Sequence, residues 1–240
     1  MFKNIKKYVI NLKKRPDRLN EVLKEFNYIG WDVDVFEGVD LGNHIGCAES
    51  HLTLIKKAKE LNLDKIMVLE DDIFFMPYAK SLINDLENEL ERIDYDVLNL
   101  NLSIHRKLEV SSVSNLLIDL TNLPDKKFNE RGIFGTGCMV YTKKMYDTII
   151  NYYDNIRAID EELDRLIYPN FKSYTSILPL TIQKGNMSDV SNDFYDNFYL
   201  QTYNWNQYCP TKIPNEYYDF NQTLTIRNNE EINYKNILNK

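Results

Sequence analysis

Apolar residues recur along this chain with two alternating periods, and their order predicts an α/β fold. The run Lys7-Tyr8-Val9-Ile10-Asn11-Leu12 is β-branched and aromatic, as a short strand is. Pro16 then suits the first turn of a helix, whose buried stripe is Leu19, Val22, Leu23 and Phe26. Residues 31–36 alternate apolar and acidic side chains as a second strand. Gly38, Gly42 and Gly46 punctuate a loop, after which Ala48, Leu52, Ile55 and Leu61 mark the next helix. Ile66-Met67-Val68-Leu69 is an uninterrupted apolar run, which predicts a central strand buried on both faces, and it stops at Glu70-Asp71-Asp72. Pro77 suits a third helix start, with Leu82, Ile83, Leu86, Leu90 and Ile93 inward, and residues 95–100 read as another strand.

Beyond that point the rhythm weakens. Residues 101–131 carry little periodicity, and a connection that long is usually functional, so a substrate-side loop with short strands is expected there. Residues 134–142 are strand-like around Gly135 and Gly137, 143–153 and 160–167 are helical, and 174–183 return to strand character. The alternation in the first half predicts a mostly parallel central sheet with helices on both faces. No repeat or linker interrupts residues 1–190, which read as one domain. Residues 191–240 read as an aromatic and Asn-rich C-terminal extension packed on it, with Phe194, Tyr195, Phe198, Tyr199, Tyr203, Trp205, Tyr208, Tyr217, Tyr218 and Phe220. Large rings need burial more often than a ligand, and stacking on a sugar face is the other reading.

Composition narrows the function. A formal charge of −7, from 36 acidic against 29 basic side chains in 240 residues, argues against a nucleic-acid partner held by bulk electrostatics. Cys47, Cys138 and Cys209 are widely spaced and offer neither a disulfide framework nor a CxxC zinc motif. The early lysines are followed only by Tyr8-Val9-Ile10, too short for a signal-peptide core, and no stretch approaches the roughly 20 apolar residues of a membrane span. The expected location is therefore cytoplasmic, and the Asn-x-Ser/Thr matches at Asn101, Asn186 and Asn221 carry no weight.

The acidic triplet supplies the first chemistry. Two unit charges about 5 Å apart repel by about 3 kcal/mol at an effective dielectric near 20, and a divalent cation relieves that repulsion. Strand alternation points Glu70 and Asp72 to one side, toward one ion, with Asp71 turned away to hold the loop. Ligands of open α/β sheets bind beyond the carboxyl ends of the strands, where the triplet lies. Capping of the following turn explains the triplet equally well. Oxygen-only ligands favour magnesium, calcium or manganese, and a hard cation on two carboxylates completes its shell with water and phosphate oxygens. A nucleotide-diphosphate substrate follows, with Arg15 and Arg18 as assisting bases or as an ordinary solvated helix face.

Several blocks together resemble glycosyltransferase family 25, the group with lipopolysaccharide and procollagen galactosyltransferases. They are Ile10-Asn11-Leu12 with Arg15 and Arg18, Gly46-Cys47-Ala48-x-Ser50-His51, Leu69-Glu70-Asp71-Asp72, Ile159-Asp160-Glu161-x-Leu163, and Pro179-Leu180 with Gln183 and Ser188. The resemblance implies a GT-A type nucleotide-sugar fold, a UDP-sugar donor, a divalent metal (manganese, with magnesium the alternative) and inversion at the anomeric carbon. It places the metal on Asp72 and Glu70. It borders the donor with Asn11, Leu12, Arg15, Arg18, Ser50, His51, Glu70 and Asp71.

Inversion needs a base for the acceptor hydroxyl, and Asp160 and Glu161 are the candidates, with Asp164 one turn further on. A helix N-terminus is expected to keep such a carboxylate ionised; without the family, Asp160 is simply a good helix-start residue. His51 reads either as binding or as structural, His44 and His105 have no matching context, and Cys47 reads as helix packing. The chain departs from the family at 138–145, where a Tyr-rich strand and Gly-Ala pair are expected. It also lacks an identifiable third metal ligand, although Ser188 and Asp189 lie in the right region. The implied reaction moves a hexose, galactose or glucose, to a hydroxyl of a glycan or a hydroxylysine. An inactive module binding a nucleotide sugar or glycan, or a metal-dependent nucleotidyl or phosphoryl enzyme, are the competing classes.

Overall fold

The computed structural model describes residues 2–105, 112–121, 132–153, 157–184, 186–187, 194–195, 197–209 and 211–239. The strands are β1 (Lys6–Asn11), β2 (Asp34–Glu37), β3 (Lys65–Glu70), β4 (Ile73–Phe75), β5 (Val97–Asn99), β6 (Ser103–Ile104), β7 (Leu117–Asp119), β8 (Ile133–Phe134), β9 (Cys138–Thr142), β10 (Ser173–Ser176), β11 (Thr181–Gln183), β12 (Asn186–Met187) and β13 (Phe194–Tyr195). The α-helices are α1 (Pro16–Ile29), α2 (His44–Glu60), α3 (Ala79–Leu90), α4 (Tyr146–Tyr152), α5 (Ile159–Glu162), α6 (Asn197–Tyr208), α7 (Phe220–Asn229) and α8 (Lys235–Leu238).

A seven-stranded sheet in the order β2-β1-β3-β9-β5-β10-β7 forms the centre. β1 pairs parallel with β2 and β3, and β5 pairs parallel with β10. β9 runs antiparallel between β3 and β5, and β7 antiparallel beside β10, so five strands share one direction and two oppose it. This is the mostly parallel α/β sheet that the sequence predicts. α1 packs on β1 and β4, and α2 on β3. Ile66, Met67, Val68 and Leu69 of β3 are all fully buried, as an apolar run without alternation requires.

Four local readings are corrected. The loop after Gly38 ends earlier than expected, because α2 starts at His44 with the Asn43 side chain capping the Ile45 N–H at 2.9 Å. Gly46 lies in the first turn of that helix, where a Cβ would stand 2.4 Å from the Val39 carbonyl oxygen, so glycine permits the close approach of residues 39–41. Residues 134–142 split into β8 and β9 around Gly135, whose φ of 90° lies in the left-handed region that favours glycine. Residues 174–183 split into β10 in the central sheet and β11, which pairs with β4 outside that sheet.

Most of the C-terminal aromatics lie on α6 and α7; Phe198, Trp205 and Tyr217 turn inward, whereas Tyr199 and Tyr203 are exposed. Phe198 of α6 and Phe220 of α7 meet Phe74 edge-on at 5.7 and 5.0 Å, and Trp205 and Tyr217 are buried. Arg227 of α7 reaches α1, where its Nη1 and Nη2 donate to both oxygens of buried Glu25 at 2.5 and 3.0 Å, while its guanidinium stacks on Phe74 and Tyr28. No helix among the described residues is long and apolar enough to cross a membrane.

Candidate active site

β3 ends between β1 and β9, and a cavity of about 480 Å³ opens beyond its carboxyl end. Leu12, Arg18, Ser50, Glu70, Asp71, Asp72 and Asp160 all line it. So do residues 39–44 and Cys47, Ser103, His105, residues 134–136, Gln183, Leu200 and Gln201. A parallel strand delivers its last side chains here because its helix connection leaves from this edge.

The three adjacent acids do not behave as continued strand alternation predicts, because β3 stops at Glu70 and a turn follows. Glu70 points back toward α2 and β9. Its Oε1 accepts from the Thr136 hydroxyl at 2.5 Å, and lies 3.5 Å from His51 Nε2 and 3.8 Å from Cys47 Sγ. Asp71, which the sequence turns away from the ligand, lines the cavity. It accepts from Asn11 Nδ2 at 2.6 Å and from Arg18 at 3.2 Å, which ties the end of β1 and the start of α1 to the end of β3. Asp72 Oδ2 is 3.8 Å from Arg18, and its Oδ1 is buried with no hydrogen-bond partner among the described residues.

Their protonation follows these surroundings. Burial pushes the Glu70 carboxyl up, but His51 and Thr136 outweigh it and leave it below its ordinary value. Asp71 is raised by burial, against the pull of Arg18 and Asn11. For Asp72, burial followed by the charges of Glu70 and Asp71 outweighs the pull of Arg18 and its own N–H and pushes it up to about 7.

The other predicted residues divide. His51 is buried behind Glu70, with Nδ1 3.1 Å from the Tyr141 hydroxyl, so it braces the acidic motif from the protein side. Ser50 accepts from the Val39 N–H at 2.8 Å and donates to the Gly46 carbonyl at 2.7 Å, which fixes the 39–41 loop over the cavity. Arg15 bonds Asp17 on the surface and does not line the cavity; its carbonyl accepts from Asn11.

Asp160 and Glu161 separate: Asp160 lines the cavity, whereas Glu161 is exposed and outside it. The Gly135 and Glu161 N–H groups donate to the two oxygens of Asp160 at 3.4 and 2.9 Å. The expected lowering of this carboxyl by the helix start is reversed, since burial outweighs both donors and raises it. Asp164 is buried in the π-helical turn that continues α5 and does not line the cavity. Ser188 and Asp189 lie outside the described residues.

Three features escaped the sequence reading. His44 and His105 both line the cavity, and Gln201 arrives from α6. Cys47 and His51, one turn apart on α2, converge with Glu70 so that their ligand atoms lie within 4.8 Å of one another. That trio forms a donor set the linear spacing of the cysteines does not suggest. Its acid oxygen already accepts from Thr136, and burial followed by the Glu70 charge holds the Cys47 thiol well above its usual range. The trio reads as a brace.

Asp40, Glu70, Asp71, Asp72 and Asp160 thus share one cavity at the carboxyl edge of this sheet. The family model described as Glycosyltransferase family 25 (LPS biosynthesis protein) matches residues 42–167, just over half the chain, and the protein belongs to that family. A "Glycosyltransferase 25 family member" of Aedes aegypti is 30% identical over 115 residues, 36% of this chain and 19% of that protein. A Haemophilus influenzae protein provisionally named a glycosyltransferase is 28% identical over 173 residues, 71% of this chain and 56% of that one. The chain thus spans about a fifth and just over half of these relatives. A solved glycosyltransferase involved in glycosylation of the major capsid of PBCV-1 aligns with a TM-score of 0.42 at 10% identity, covering 71% of this chain and 80% of that one.

Proposed function

We propose that the protein is an inverting, metal-dependent hexosyltransferase that moves galactose, or glucose, from a UDP-sugar to a hydroxyl of a glycan or hydroxylysine. The observation that carries this reading is the charge of the cavity. Among the described residues lining it, Asp40, Glu70, Asp71, Asp72 and Asp160 stand against Arg18 as the one arginine or lysine. An anionic diphosphate enters such a cavity only with a cation to offset it. Asp72 fits that cation: its Oδ1 is buried with no hydrogen-bond partner among the described residues, and Glu70 and Asp71 beside it are hard oxygen donors. Manganese is the expected ion and magnesium the alternative; when bound, it supplies positive charge to the departing diphosphate.

The chain's own groups do the rest. Glu70 is held by Thr136 and His51, and Asp71 by Asn11 and Arg18, so the acids flanking the ion keep fixed positions. Asp160 accepts the acceptor hydroxyl's proton. Its raised affinity for a proton makes it a better base than an exposed aspartate, and the Gly135 and Glu161 N–H groups hold it in place.

The deciding assay measures UDP release from a panel of UDP-sugars, with manganese or with EDTA, for the wild type and Asp72→Ala. Manganese-dependent turnover of one UDP-hexose, lost in Asp72→Ala, is the expected result. Equal release in EDTA, or release of UMP in place of UDP, would overturn the proposal.

A further inference from the structure

The residues lining the cavity fall into two chemically different sets, and only the acidic one calls for a cation and a nucleotide diphosphate. Beside the acids, Ser103, His105, Phe134, Gln183, Leu200 and Gln201 form a wall that carries no carboxylate, arginine or lysine among the described residues, with Gln183 paired to Ile73 next to Asp72. We infer that this wall is the acceptor subsite, that it takes a neutral polyhydroxylated ring, and that the Gln183–Gln201 pair sets its specificity. The inference rests on the transferase reading and extends it. Gln183, Leu200 and Gln201 lie outside residues 42–167, the segment that the family model matches, whereas Ser103, His105 and Phe134 lie inside it.

The wall is built rather than incidental. Gln201 is 5% exposed; its Oε1 accepts from the Gln183 N–H at 2.9 Å and its Nε2 donates to Gln183 Oε1 at 3.1 Å. Those bonds fix the planes of both amides. An amide offers two donors and two lone pairs, so the fixed pair keeps capacity for the donors and acceptors of adjacent ring hydroxyls. His105 is held in the same way. Its Nε2 lies 3.0 Å from Ser103 Oγ, its Nδ1 lies 3.4 Å from Asn204 Nδ2 on α6, and its ring packs on Phe134 at 5.4 Å. A flat apolar ring beside oriented neutral polar groups matches the alternating apolar face and hydroxyl edge of a pyranose.

Position agrees with chemistry. Phe134 directly precedes Gly135, whose N–H donates to Asp160, so a ring held on this wall lies next to the base. The acceptor hydroxyl then gives its proton to the Asp160 carboxylate. Its oxygen bonds the anomeric carbon as the bond from that carbon to the diphosphate oxygen breaks, and the electron pair leaves with UDP. An anionic acceptor would add charge to a cavity already rich in carboxylates, and an acceptor ammonium would find no carboxylate on this wall.

The test uses saturation-transfer NMR on the full chain with manganese and UDP, probing methyl β-D-galactopyranoside, lactose and methyl β-D-glucuronide. UDP affinity is measured in parallel by calorimetry. The neutral glycosides should bind and the glucuronide should not. Gln201→Ala should weaken the neutral glycosides by about tenfold, as the loss of paired hydrogen bonds does, while UDP affinity holds within about twofold. The isosteric Gln183→Glu should repeat the loss without opening a cavity. Unchanged glycoside binding in both variants, preference for the glucuronide, or parallel loss of UDP affinity would overturn the assignment. A wild type that binds no UDP would instead sink the transferase reading itself.

Discussion

Replacing Asp72 with asparagine should make the protein more stable near pH 8 while removing its response to manganese. The Asp72 carboxyl moves from its ordinary 3.8 to about 7 because burial, then the charges of Glu70 and Asp71, penalise the ionised form. At about 1.4 kcal/mol per pH unit, an ionised Asp72 costs the metal-free fold about 4 kcal/mol. The sign follows from proton binding. The folded state holds this proton more tightly than the unfolded chain, so the contribution is fully present below about pH 4 and is lost as pH rises through about 7. The side chain is 15% exposed, and solvent in the cavity screens part of the cost. A gain of about 2–3 kcal/mol, or roughly 4–12 °C in Tm for a chain of this size, is the expected outcome. The assay is thermal unfolding near pH 5 and near pH 8, with and without manganese. The wild type should fall behind the variant only at the higher pH, and manganese should restore it while leaving the variant unmoved. Equal Tm values near pH 8, or the same manganese shift in both proteins, would refute the reasoning.

Two further changes probe other parts of the molecule. Asp160→Asn should lower transfer by about 10²–10⁴-fold with UDP affinity retained, and wild-type kcat/KM should fall on the acid side as pH drops through the raised Asp160 pKa. Turnover within about tenfold of wild type would place the base elsewhere. Arg227→Leu should destabilise the fold by about 2–4 kcal/mol in urea unfolding, because it leaves Glu25 buried between α1 and β4 with only Lys184 at 4.0 Å and the Phe75 N–H to offset its charge. Adding Glu25→Gln should recover much of that loss, and a double variant no more stable than the single one would show that the ion pair is not the cause.

The central strand was legible because its signal is local: Ile66 to Leu69 are apolar without alternation, and only burial on both faces accommodates that. The reversed direction of β9 was not, since Cys138–Thr142 has the same composition whichever way it enters between β3 and β5. β4 was hidden because its partner β11 lies more than 100 residues away, and Ile73-Phe74-Phe75 before Pro77 reads locally as the approach to a helix. The cavity shows the same division. Asp72, Arg18 and Asp160 could be picked out by residue type and position, whereas His105 and Gln201 reach the wall only through α6 and β6, which no linear spacing links.

The acidic triplet shows why residue type and role separate. Alternation assigns Glu70 and Asp72 to one ion only while the ladder continues, but the last paired residue of β3 toward β1 is Glu70 opposite Ile10, and toward β9 it is Leu69 opposite Cys138. Past that register the backbone turns, and each carboxylate takes the partner that tertiary packing brings: Thr136 and His51 for Glu70, Asn11 and Arg18 for Asp71. Of the three acids, Asp72 keeps a buried oxygen with no hydrogen-bond partner among the described residues, and the pull of Arg18 does not outweigh the burial and neighbouring charges that raise it. Which acid is left so is decided by where hydrogen bonding in the sheet stops, a property of three strands together rather than of the three residues that carry the charge.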